Sequence, residues 1–310
     1  MVHASQTSQK GWLAFELNVL RRSKFASVAL PFTHTPALGA YLKRWDIRVQ
    51  ANDPLQSAWT RAQAAIPNNG EKLSADDVNV VLEDAYVPKY KLQNASLRSW
   101  FSETDAWWFD NVRQNIDRLS TPISRAIALS IAMAAGDYVL SFTEDTRELR
   151  QPLSNVFRRL WTLQPEPYNN GQNNSCQNRQ ANEFLAETRA DLMFLRLPAP
   201  HSQHCRALLG QAAWQEEWRR GGADFWATFD AEQAGKLGMS TETKSQYLNL
   251  LEETLRIASH LGQWAIAHVE NGSIATQDIV ETIGRVRRVE AIYTKDFSEL
   301  TGLKAVMITA

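Results

Sequence analysis

The period of the apolar residues switches twice along this chain, and that switching restricts its architecture more tightly than any single motif. Phe25 to Phe32 is a short apolar run closed by Thr33-His34-Thr35-Pro36, and Ala37 to Leu42 then follows a helical spacing. Ile47 to Ala51 alternates as a strand and ends in Asn52-Asp53-Pro54, where Pro54 suits a first helical turn and Asp53 can cap it. Strand, helix, strand, helix in that order points to a parallel sheet with helices on its faces.

From 74 to 165 the strand signals vanish. Ser74-Ala75-Asp76-Asp77, Ser102-Glu103-Thr104-Asp105 and Thr121-Pro122 read as helix starts. The apolar segment 121–143 is interrupted by Arg125, Gly136 and Asp137, which favours a buried helix over a membrane span. Tyr168 to Asn174 is a polar linker, after which the alternation resumes. Leu192 to Leu197 reads as a strand, 242–261 as a helix, Trp264 to Val269 as a strand, Asn271-Gly272 as a turn and Thr276 to Ile283 as a helix. Val286 to Tyr293 and Leu303 to Ile308 read as an antiparallel pair joined through Gly302. The expected organisation is an α/β domain over 1–73 and 166–310 with a helical insertion at 74–165. Its sheet is expected to be Rossmann-like, mostly parallel, with a closing antiparallel hairpin.

Composition agrees with a globular core and excludes little else. A formal net charge of −1 gives no global signal for nucleic acid, although clustered charge can still act locally. Cys176 and Cys205 supply no disulfide framework and suit a reducing compartment. The first ten residues are polar, and no unbroken apolar run of about 18 residues occurs. The expected location is the cytoplasm, with no membrane partner.

In an open α/β sheet, the residues just beyond the carboxyl ends of the strands reach the ligand crevice. Three segments run through such strand ends: Leu30-Pro31-Phe32-Thr33-His34-Thr35-Pro36, then Val49-Gln50-Ala51-Asn52-Asp53, then Asp191 through Arg196-Leu197-Pro198-Ala199-Pro200. Together with the tail from Trp264 through Asn271 and Ile274 to Val306-Met307-Ile308, they resemble adenine-specific DNA methyltransferases of the Dam class. The first segment is similar to that family's Asp-Pro-Phe-x-Gly-x-Gly cofactor loop. The second is similar to the strand ending in a ribose-binding acid, and the third stands where the family has Asp-Pro-Pro-Tyr. A weaker echo lies at Phe101-Ser102-Glu103-Thr104. The resemblance implies a methyltransferase-type sheet, S-adenosylmethionine as donor, DNA as substrate, and Phe32, His34, Pro36 and Asp53 as the positions facing the cofactor.

The residues themselves depart from that chemistry. His34 and Pro36 stand where glycines would let backbone approach a ligand, and Leu30 replaces the leading acid. Arg196 offers donors only, where an acceptor for the target amine is needed, and its charge would oppose a sulfonium in a low-dielectric cleft. Ala199 lacks the ring that would stack on a flipped base. Asp53 still suits a ribose, and equally suits a helix cap. Arg196 can serve either an anion site or a structural ion pair. No catalytic residue is therefore expected at the degenerate positions Arg196, Leu197, Pro198 and Ala199.

Other constellations are less specific. His201, His204 and Cys205 have the spacing of metal ligands but no second ligand pair, so a polar loop is the plainer reading and no metal is expected. Basic groups at Arg21-Arg22-Ser23-Lys24, Arg158-Arg159, Arg219-Arg220 and Arg285, Arg287 and Arg288, with Trp161, Trp214 and Trp218 interleaved, suit either nucleic-acid contacts or solvated helix faces. Three functions follow as expectations. The first is a methyltransferase-like protein without catalysis, serving as a DNA-binding or protein-partner subunit. The second is an active enzyme with divergent motifs, and the third a structural protein binding neither donor nor DNA.

Overall fold

A computed structural model describes residues 11–270, 274–297 and 303–310. Its strands are β1 Ser27–Leu30, β2 Arg48–Asn52, β3 Ser175–Gln177, β4 Leu192–Arg196, β5 Gln263–Glu270, β6 Ala291–Asp296 and β7 Lys304–Thr309. Its α-helices are α1 Trp12–Leu20, α2 Ala37–Lys43, α3 Gln56–Ala65, α4 Ala75–Leu82, α5 Glu103–Ile116, α6 Pro122–Leu140 and α7 Leu153–Thr162. They continue with α8 Ala181–Glu187, α9 Cys205–Leu209, α10 Ala213–Arg220, α11 Trp226–Gln233, α12 Lys244–Ile257 and α13 Thr276–Gly284. The turn expected at Asn271-Gly272 and the loop through Gly302 lie outside the described residues.

The chain divides into two compact units. One holds residues 1–54, 170–210 and 226–310, and the other holds 55–169 and 211–225. The first is α/β. Its seven described strands form one mixed sheet in the order β3-β2-β1-β4-β5-β7-β6. Pairings from β3 to β5 are parallel, and β7 runs antiparallel to both β5 and β6. Chain order reverses at β1, which has β2 on one side and β4 on the other, so the crevice expected in such sheets falls beyond the ends of β1 and β4.

Burial explains why these strands were legible. Leu192 to Leu195 and Trp264 to Ala267 are buried without alternation, as central strands covered on both faces must be. Leu251, Leu255, Ile279 and Ile283 supply the helix surfaces in the same core as Met193, Leu195, Trp264 and Ile266. At the opposite end of the strands, Asp191 accepts from Ala26 N, Ser27 N and Ser27 Oγ, each at 2.9 Å, and so fixes where β1 and β4 begin. Strand β3 was not expected. It is three polar residues long, and the linker before it is part of the sheet edge: Val49 N donates to Asn174 Oδ1 at 2.9 Å, and Asn170 Nδ2 donates to Ile47 O at 3.0 Å. Helix α1 also carried no expectation.

The second unit is helical, with caps where the sequence placed them: Ser74 and Asp77 form a reciprocal capping box, Ser102 caps α5 and Thr121 caps α6. The boundaries differ from 74–165. Helix α3 packs against α6, and α10 delivers Trp214 and Trp218 into this unit's core beside Phe101 and Phe109. Trp214 lies so near α6 that a Cβ at Gly136 would stand 2.2 Å from its ring, and only glycine fits there. Helix α6 does reach the length and apolarity of a membrane span despite Arg125 and Asp137, and 61% of that stretch is buried.

Candidate functional site

The crevice beyond β1 and β4 is built from three chain segments. After β1, Thr33 is pinned to β2, its N–H and hydroxyl donating to Asn52 O at 3.0 and 2.9 Å. This leaves His34 at φ 49°, in the left-handed region, at a position where the family resemblance implies glycine. Its N–H donates to Asp53 Oδ2 at 2.8 Å, and its ring stacks on Phe32 at 6.1 Å. Burial, and then the charge of Arg196, lower the His34 pKa to about 4, so its imidazole is neutral near pH 7. Pro36 does not distort the loop; it heads α2 with φ −73°, and Ala40 N donates to its carbonyl.

After β2, Asp53 is buried and its carboxylate closes the His34 turn. The first amides of α3, Gln56 N and Ser57 N, donate to Glu216 Oε1 and Oε2 at 2.9 and 2.8 Å. Asn52 ties the strand ends together: its side-chain amide donates to Pro31 O and Arg179 O and accepts from Arg179 N. Nearby Cys176 has its thiol pKa raised by burial and by the Asp53 charge.

After β4, Arg196 forms a bidentate pair with Glu16 of α1, Nε to Oε1 at 2.9 Å and Nη2 to Oε2 at 2.7 Å. The Glu16 side chain is 1% exposed and that of Arg196 17%. Of the two readings of Arg196, the structure takes the ion pair. Leu197 continues the strand, donating to Ala267 O at 2.8 Å, and Pro198 O accepts from the buried Tyr247 hydroxyl at 2.9 Å. At Gly238, φ 95°, an added Cβ would stand 3.4 Å from the Pro198 ring. Ala199 is exposed and brings no ring to the crevice.

Glu16 is the site residue that sequence reasoning missed. A signal existed: Trp12, Glu16, Val19 and Leu20 fall on one buried face of α1, so an acid interrupts an apolar stripe. Such an acid needs a buried cation as partner.

The His-x-x-His-Cys cluster does not converge. The His201 ring nitrogens lie 2.9 Å from Gln203 O and 3.2 Å from Gly238 O, His204 faces solvent beside Asp230, and Cys205 is buried against Met239 with its pKa pushed up to about 12 by burial and by Asp230. Among the described residues no three His, Cys, Asp or Glu side chains group as metal ligands. The basic clusters are largely engaged within the fold. Arg21 covers Trp45, Arg22 covers Tyr293, Arg219 donates to Thr60, Arg220 pairs with Glu216, Arg285 pairs with Glu252, and Arg287 covers Trp264. Trp214 and Trp218 are core residues. No protein-family model and no curated protein matches this chain.

Proposed function

We propose that this chain is a noncatalytic protein on a methyltransferase-type sheet resembling the Dam class, acting as a binding subunit for a protein or DNA partner. The observation that carries this reading is the Arg196–Glu16 pair at the point where chain order reverses. The parallel sheet with a closing antiparallel hairpin supports the architectural half of the reading.

The crevice residues do not fit S-adenosylmethionine. The His34 ring fills a turn that backbone alone would need to line, and one Asp53 oxygen is engaged by His34 N–H. Calorimetric titration with S-adenosylmethionine tests this: no saturable heat is expected at millimolar donor, and a micromolar Kd overturns the reading.

The alternative of an active enzyme rests on Asp53 at the end of β2. It requires donor binding that weakens on Asp53→Ala. For the DNA half, electrophoretic mobility with duplex DNA at two salt concentrations discriminates, since phosphate-driven binding must weaken as salt rises. No shift at low salt leaves a protein partner.

A further inference from the structure

A pocket of about 290 Å³ opens in the helical unit, walled on its apolar side by Trp100, Phe101 and Phe142. Small-molecule sites begin at roughly this size. Its charged lining balances, Arg147 and Arg150 against Asp105 and Glu144, so a neutral occupant suits it better than an ion.

Asp105 and Arg150 are mostly buried, at 10% and 19% side-chain exposure, and pair at 3.1 Å through Asp105 Oδ2 and Arg150 Nη2. The same Oδ2 accepts from Ser102 Oγ at 2.7 Å. Asp105 Oδ1 and Arg150 Nη1 make no hydrogen bond and are not sealed from solvent, and Arg150 Nε is buried without a partner. One ion pair thus supplies both an open acceptor and an open donor to a pocket lined by aromatic rings. Polar groups in such surroundings gain most from a ligand that completes their hydrogen bonds.

We propose that this pocket binds a neutral, flat lactam heterocycle, of which the uracil ring is the simplest example. The ring N–H donates to Asp105 Oδ1, the adjacent carbonyl accepts from Arg150 Nη1, and the ring face lies against Trp100 and Phe142. The pocket belongs to the helical unit and requires neither the crevice nor a methyl donor.

Uridine is the probe, read by NMR on the indole N–H of Trp100, which is held by Glu217 Oε2 at 2.7 Å. A saturable shift is expected. N3-methyluridine, whose blocked nitrogen cannot donate, binds about tenfold more weakly, the equivalent of one hydrogen bond. Phe142→Ala weakens uridine about fivefold through lost stacking. Absence of a saturable shift up to about 20 mM uridine, an affinity too weak to be a site, overturns the proposal. Equal binding of the two nucleosides also overturns it, and that comparison uses the unaltered protein.

Discussion

The two units use polar side chains for different ends. In the sheet unit, polar side chains stand at strand termini and lock loops: the exposed Asp191 sets where β1 and β4 begin, while the buried Asn52 and Asp53 hold the turns beyond β1 and β2. In the helical unit, acidic side chains serve helix ends and indoles. Glu216 caps α3, Glu217 receives Trp100 Nε1, and Asp137 receives Trp214 Nε1 at 3.3 Å and Gln215 Nε2 at 2.6 Å. A parallel sheet satisfies its backbone internally and leaves polar side chains to shape its ends. Helices leave unpaired amides at each start, and an aromatic core adds indole donors that also need acceptors. The exception is Arg196–Glu16, a buried ion pair in the sheet unit that closes no loop. Its odd position is what ties it to the crevice.

That contrast can be broken most severely at the exception. Arg196→Met leaves Glu16 buried without a partner and should lower unfolding stability by about 3–5 kcal/mol in urea denaturation. Arg196→Met combined with Glu16→Leu should recover most of the loss, since apolar replacement of a buried pair is often near neutral. A double variant as unstable as the single one would show that the pair also organises its surroundings. Next in size is Glu216→Ala, which removes both caps of α3 and the partner of Arg220, for about 2–3 kcal/mol. Gly136→Ala should follow at about 2 kcal/mol, as its methyl meets Trp214. Relief of that loss by a smaller residue at Trp214 would locate the clash.

How much of this was legible follows the same division. The strands buried on both faces and the capped helices carry strong local patterns, so β1, β2, β4, β5, α4, α5 and α6 were readable. Strand β3 was not, because Ser175-Cys176-Gln177 owes its conformation to the edge of β2 and to the Asn174 side chain. The membership of α3 and α10 was hidden because contacts between residues distant in sequence decide it. At the crevice, the replaced positions His34, Pro36, Arg196 and Ala199 could be named, but their outcomes could not. Whether Arg196 met an anion or a carboxylate of its own chain depended on α1, which local periodicity left unassigned.

His34 offers the smallest change and the sharpest reading of the crevice. Asparagine tolerates left-handed backbone, so His34→Asn keeps the turn and its N–H to Asp53, and stability at pH 7.5 should move by no more than about 1 kcal/mol. The pH profile should move more. The folded-state pKa of His34 lies near 4, below its ordinary 6.5, because burial and Arg196 disfavour the imidazolium. Between those values the unfolded chain binds the extra proton, so the contribution of His34 is complete above about pH 6.5 and fades as pH falls towards 4. The asparagine variant should therefore gain on the unaltered protein when both are denatured at pH 5 instead of 7.5. Buried His268 carries a shift in the same direction and leaves a residual slope in both. Parallel profiles would mean that the His34 ring stays hydrated, which would reopen the crevice to a ligand that the Arg196–Glu16 pair otherwise argues against.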